Sequence, residues 1–239
     1  MILEEGFLLE DLEKIVLSIS ETAKKAGVQI VCGDTKVVER GSADKIFINT
    51  TGVGFITDRE VGPEFIRPGD KVLINGTIGD HGIAIMADRE GLEFETPVLS
   101  DCAPLNGLID SFYTQGVRCM RDPTRGGVGT TLNELARQAN VSILLEEETL
   151  PLHREVEGAC GMLGLDPLYL ANEGKVLAIV APEIAEDVLK KMREHPLGKQ
   201  AAIIGKVIES EPGLVLLETP LGGKRIVGML EGEHLPRIC

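Results

Sequence analysis

Cys239 closes the run Leu235-Pro236-Arg237-Ile238-Cys239, and a thiol at the end of a chain can swing where one inside a helix cannot. A free thiol ionises near pH 8.5, at roughly neutral conditions only in part, and is a strong nucleophile as thiolate. Arg237 favours that thiolate, and the adjoining chain-end carboxylate opposes it. If residues 231–239 are unstructured, the stretch spans roughly 26–29 Å when extended, enough to reach a site on its own subunit or on a partner. Position alone is equally met by a frayed tail that happens to end in cysteine.

Four internal segments also hold groups able to do chemistry. Gly33-Asp34-Thr35-Lys36 lies where a strand is expected to end. Its glycine lets a ligand approach the backbone, Asp34 could hold a hard cation such as Mg²⁺ through oxygen, and Lys36 could bind phosphate. A solvated turn with an incidental ion pair explains the same residues, and the spacing is not that of a Walker A loop. Gly76-Thr77-Ile78-Gly79-Asp80-His81-Gly82 offers backbone donors at a helix start, a natural place for an anion. Asp80 there reads equally as an N-cap, and His81 reads as a turn or packing residue. Asp122-Pro123-Thr124-Arg125-Gly126-Gly127-Val128 suits phosphate or a tight helix entry. In Asn172-Glu173-Gly174-Lys175, Glu173 could act as a general base if partly buried, although a solvated surface glutamate is the commoner case.

The rest of the composition narrows the classes of function. A net charge of −14 over 239 residues argues against nucleic acid or an anionic membrane as the main partner, since both require a basic face. No run of about 18 apolar residues exists to cross a bilayer. Met1-Ile2-Leu3-Glu4-Glu5 lacks a signal peptide's basic start, so the cytoplasm is expected. Cys32, Cys102, Cys119, Cys160 and Cys239 contain no C-x-x-C pair, which argues against a zinc site or a disulfide framework. Cys32, Cys119 and Cys160 have small or apolar neighbours and are expected in a core.

These groups must be positioned by elements legible as hydrophobic patterns. Leu12, Ile15, Val16, Ile19 and Ala23 predict an amphipathic helix over 10–26, closed by Gly27. Strands are expected at 28–32 and 45–56, a thin core for an independent domain. From Asp70 onward helices are expected at 82–89, 104–115, 127–140, 153–163 and 184–194. Strands are expected at 71–74, 117–120, 142–145, 175–180, 202–209, 214–218 and 224–227, with 202–209 and 214–218 closing as a pair. The order predicts an α+β protein: a mixed sheet covered by helices.

Taken together, several segments carry a resemblance. They are Ile2 to Phe7, Gly33-Asp34-Thr35-Lys36-Val37-Val38, Phe47-Ile48-Asn49-Thr50, Gly79-Asp80-His81-Gly82, Val98-Leu99-Ser100-Asp101-Cys102, Asp122 to Val128, Ala171 to Lys175, His195-Pro196-Leu197-Gly198-Lys199, and the final Pro236-Arg237-Ile238-Cys239. The chain resembles, over essentially its whole length, the HypE family of hydrogenase maturation factors. That family lies within the larger group containing aminoimidazole ribonucleotide synthetase and selenophosphate synthetase. The terminal cysteine selects the family within the group.

The resemblance implies an ATP-using carbamoyl dehydratase. A carbamoyl group delivered by HypF would be held on Cys239 as a thiocarbamate and dehydrated to a thiocyanate. The nitrile would then pass to iron on the HypC–HypD complex as a cyanide ligand of a [NiFe] hydrogenase. It implies Cys239, Lys36 and Glu173 as catalytic residues, with Asp34, Thr35, Asn49 and Thr50 binding ATP and Asp34 holding Mg²⁺. It further implies a homodimer formed through the first domain. The expected division is an incomplete ATP-binding and dimerisation α/β domain at 1–66, a mixed-sheet α/β sandwich domain at 67–230, and a flexible tail at 231–239. Family members carry roughly a further hundred residues ahead of Ile2, so ATP turnover and dimerisation are expected to be weak in this chain. Two other readings remain open: a non-catalytic carbamoyl acceptor and docking module, and an ATP-dependent synthetase acting on a free small molecule.

Overall fold

The apolar period from Leu12 to Ala23 becomes α1, Leu9–Ala26, in a computed structural model that describes residues 1–56, 60–91 and 97–230. Gly27 ends it at φ 66°, donating its N–H to the carbonyls of Ala23 and Lys24, the left-handed closure for which glycine pays no Cβ penalty. The chain divides into two compact units between Glu60 and Val61.

The first unit pairs three short strands. β1, Ile2–Glu4, runs parallel to β2, Lys36–Val38, and antiparallel to β3, Ile46–Phe47, giving the order β2-β1-β3. The Glu4 carboxylate ties the intervening loop by accepting the N–H groups of Gly41 (2.6 Å) and Lys45 (3.1 Å). Those two bonds, Gly41's first, hold its pKa below the usual glutamate value. Two sequence expectations fail here. Residues 28–32 form no strand, because β2 begins four residues later and takes the place beside β1; Val31 and Cys32 are left exposed. The strand expected over 45–56 contracts to Ile46–Phe47, preceded by Lys45 at φ 63°, a left-handed backbone that strands do not use.

In the second unit a seven-stranded sheet has the order β10-β9-β6-β8-β4-β7-β5. Its strands are β4 (Lys71–Ile74), β5 (Val117–Arg121), β6 (Ser142–Glu146), β7 (Leu177–Val180), β8 (Ala202–Ile208), β9 (Val215–Glu218) and β10 (Lys224–Ile226). All neighbours are antiparallel except β6 and β9. The sheet is mixed, as expected, but β8 and β9 do not pair with each other. β6 lies between them, because its apolar Ile143, Leu144 and Leu145 belong at the sheet's centre.

Side chains alternate across this sheet with the two-residue period of a strand. Val72 and Ile74 of β4 enter a core with Ile143, Ile179 and the helix α4 (Gly127–Ala139), whereas Leu73 points into a second core. That second core holds Leu108 and Phe112 of α3 (Asn106–Phe112) and Val188 and Met192 of α6 (Ala185–Glu194). With both faces covered, Val72 to Ile74 of β4 and the whole of β7 are apolar. A smaller cluster joins Ile83 of α2 (Asp80–Glu90) to Val156 and Cys160 of α5 (Arg154–Leu163). Cys119 and Cys160 are buried, and loss of water pushes each thiol up to about 11.

Gly126 and Gly127 open α4 at φ 74° and 62°. A Cβ on Gly127 would sit 2.5 Å from the carbonyl oxygen of Leu168 and 2.6 Å from that of Leu170. The glycine pair therefore serves a close backbone crossing at the helix entry.

Candidate active site

The first unit gathers its candidate residues at one end of its sheet. Ile2 is the register partner of both Lys36 and Phe47, so the segment entering β2 and the segment leaving β3 flank the same strand end. Asp34, Thr35 and Lys36 come from one side, and Asn49 and Thr50 from the other; all five are exposed. Asp34 Oδ1 accepts the N–H of Thr35 at 2.9 Å, and its backbone carbonyl accepts from the amino group of Met1 at 2.6 Å. One carboxylate beside hydroxyl and amide oxygens is a hard donor set. It fits Mg²⁺, which commonly takes one or two carboxylates and completes its shell with phosphate and water. No group of three or more His, Cys, Asp or Glu side chains suited to a metal occurs among the described residues.

The second unit holds a cleft of about 600 Å³ where β4 ends and the lead-in to β7 passes beside it. Asn75 locks the two together: its side chain donates to the carbonyls of Gly174 (3.2 Å) and Leu197 (2.9 Å) and accepts the N–H of Val176 (2.8 Å). Asn172 is buried and accepts the N–H of Gly79 at 2.8 Å. That donor, read from sequence as free for an anion, is thus used within the fold. Asp80 is not an N-cap either; Gly79 holds that position at φ 85°, and Asp80 is the first helical residue.

Asp80 instead belongs to a buried polar chain. It accepts from the Thr77 hydroxyl and lies 2.9 Å from His153 Nδ1 and 4.0 Å from Lys175 Nζ. Lys175 Nζ contacts Asp101 Oδ2 at 2.7 Å, and Asp101 Oδ1 accepts the backbone N–H of Glu173 at 3.0 Å. The side chains of Lys175, Asp80 and Asp101 are only 9%, 6% and 5% exposed. Burial of charge is tolerated because each group is paired and hydrogen-bonded. The network anchors the backbone of Glu173, which is half-buried.

Beside it, His81 is buried with Nδ1 2.9 Å from Ser100 Oγ and 3.8 Å from Cys102 Sγ. Asp101, His153 and Cys102 were not singled out as site residues from the sequence, and Lys175 stood out only as the end of the Asn172-to-Lys175 segment. The presence of 98–102 and 171–175 among the resembling segments pointed to Asp101, Cys102 and Lys175, and no segment pointed to His153, whose partner Asp80 lies 73 residues away. Glu173 lies in the second unit and Lys36 in the first, while Cys239 lies outside the described residues.

Comparison with known proteins bears directly on this geometry. The models for AIR synthase related proteins match residues 1–56 (N-terminal domain) and 67–216 (C-terminal domain). Carbamoyl dehydratase HypE of Azotobacter vinelandii is 53% identical over 241 residues, covering 100% of this chain and 71% of that protein. The chain belongs to the HypE family. A crystal structure of a HypE in complex with ATP superposes with TM-score 0.95 at 47% identity, covering 100% of this chain and 73% of that one. The HypE of a HypE–HypF complex superposes with TM-score 0.93 at 51% identity, over 96% of this chain and 75% of that one. Membership read from the terminal cysteine and the scattered motifs is therefore borne out, as is the mixed α/β fold. No helix among the described residues is long and apolar enough to cross a membrane.

Proposed function

We propose that this chain, as a HypE-family enzyme of hydrogenase maturation, dehydrates a carbamoyl group carried on Cys239. The observation that carries the reading is the 53% identity with a carbamoyl dehydratase over the whole of this chain. The thiocarbamate oxygen is a poor leaving group as it stands. ATP, as cosubstrate, supplies the phosphoryl group that lets it depart as phosphate. Both protons leave nitrogen, and the carbon–nitrogen triple bond of a thiocyanate results.

In this reading Glu173 removes a proton from the nitrogen, for which it must come within about 3 Å of that atom. Its fixed backbone, held by Asp101, supports the role. Lys36 offsets negative charge developing on the departing oxygen, a task suited to a fixed ammonium. Asp34 would hold Mg²⁺, which neutralises phosphate charge when bound, and Thr35, Asn49 and Thr50 would line the nucleotide. Residues 1–66 form the nucleotide and dimerisation part, 67–230 the second domain, and 231–239 the carrier tail. HypF donates the carbamoyl group, HypC–HypD receives the nitrile, the working form is a homodimer, and the compartment is the cytoplasm.

The test is the mass of the Cys239 peptide after carbamoylation and addition of ATP. Loss of one water per carbamoyl group is the expected result. A stable carbamoyl adduct would reduce the chain to an acceptor module. Unchanged ATP-dependent turnover in Cys239→Ala would instead point to a free small-molecule substrate.

A further inference from the structure

Cys102 differs from the other described cysteines in its surroundings. It is exposed at the cleft, whereas Cys119 and Cys160 are buried. Its sulfur lies 3.8 Å from Nδ1 of His81, a residue only 6% exposed. Ser100 holds both partners: its hydroxyl is 2.9 Å from that same Nδ1 and accepts the backbone N–H of Cys102 at 3.3 Å. The thiol and the Ser100 hydroxyl thus compete for one ring nitrogen, and Nδ1 takes the thiol proton when that hydroxyl turns away, which leaves a nucleophile with a base within reach.

The cleft beside the sulfur has its own polar furniture. Asp101, the neighbour of Cys102, binds Lys175 and the N–H of Glu173. Cys102 is thus one residue from the side chain that anchors the proposed general base.

We propose that Cys102, with His81 as its base, is a second thiol of this chain that accepts a carbamoyl group. The choice of carbamoyl rests on the dehydratase reading above; the nucleophilic pair rests on geometry alone. With a thiocarbamate donor, a bond forms between Cys102 Sγ and the carbonyl carbon, and the carbon's bond to the donor sulfur breaks. His81 takes the Cys102 proton and returns it to the departing thiolate. No oxidant or reductant is required. With isocyanic acid nothing leaves: sulfur adds to carbon, and the proton ends on nitrogen.

Potassium cyanate is therefore the probe, used on the full chain without ATP. Peptide mass spectrometry follows addition of one carbamoyl group to Cys102 and, within the same molecules, to the exposed Cys32. Cys102 should react about a hundredfold faster than Cys32, the lower end expected of a positioned base. His81→Gln should bring Cys102 down to the rate of Cys32 while leaving Cys32 unchanged. Equal rates at the two cysteines in the unaltered chain would overturn the proposal, and that comparison needs no variant to fold. An undiminished Cys102 rate in a folded His81→Gln chain would overturn the role of His81. Because cyanate addition needs neither ATP nor Cys239, failure here is distinguishable from failure of the dehydratase reading.

Discussion

Phe55 in the first unit is 95% exposed, whereas Phe112 in the second is fully buried. The contrast holds across both regions. Val31, Val53 and Ile56 are exposed and α1 has no buried residue, whereas β4 and β7 lie between two packed helical layers. Similar apolar side chains thus do different work. Those of the second unit each gain roughly 1.5–3 kcal/mol from leaving water, and those of the first gain little within it. Local structure survives either way, because α1 has 18 residues, acidic groups in its first turn, basic groups in its last and a glycine closure. Helix formation can follow from such local rules, but a core requires a second surface.

The most severe way to break the contrast is at a glycine. A Cβ at Gly174 would lie 1.7 Å from the carbonyl oxygen of Asp101, where backbone must move. Gly174→Ala should cost about 4 kcal/mol or more and disturb the Asp101–Glu173 anchor. At Gly41 in the first unit φ is 84° with nothing within 4 Å of a Cβ, so Gly41→Ala should cost only about 1–2 kcal/mol. Chemical denaturation of both variants checks the ranking; a reversed order would sink the packing argument.

Lys175→Met comes next. It leaves Asp80 and Asp101 buried without their shared cation, a loss of about 3–5 kcal/mol for a broken buried pair. Thermal unfolding should show it, and turnover should fall with the displaced Glu173 backbone. A variant of unchanged stability would mean that the ion pair adds nothing beyond its own desolvation.

Core truncation gives the same comparison at lower amplitude. Ile143→Ala should cost about 2–5 kcal/mol, while Leu9→Ala, at an 80% exposed position, should stay within about 0.5 kcal/mol. Equal losses in urea titrations would show that the first unit buries more than its own fold provides.

The smallest effect is in pH dependence, where the units should respond with opposite sign. Glu4 has a folded pKa lowered from 4.5 by the Gly41 and Lys45 N–H groups. Its contribution is present above 4.5 and lost as pH falls through the lowered value. Asp70 is raised from 3.8, chiefly by burial, which outweighs the Arg67 N–H and the Arg118 guanidinium. Its contribution is full below 3.8 and lost as pH rises through the raised value. Carboxyl NMR titration should place Glu4 below and Asp70 above those reference points, and Glu4→Gln should reduce the first unit's acid sensitivity.

Much of the architecture was legible, for identifiable reasons. The period of Leu12 to Ala23 and the uninterrupted apolar run of β4 carry their own geometry. Residues 28–32 misled because a β-branched run states a preference for extended backbone without stating a partner. The same limit made β8 and β9 look like neighbours. In the site, Glu173 and Lys175 stood out beside a strand, but Asp101 did not, since its lysine lies 74 residues away. Cys32 and Cys119 show the limit most simply: each adjoins an apolar residue, Val31 or Met120, yet one is exposed and the other buried.

By itself the sequence determined the family, the local elements and the inventory of reactive groups, because motif order, hydrophobic period and turn chemistry are short-range information. Only tertiary structure decided which strands adjoin, that Asp80 and Asp101 share one lysine, and that His81 meets Cys102. Those pairings depend on distances between residues far apart along the chain, and hydrogen bonds and ion pairs form only where folding brings their atoms within a few ångströms.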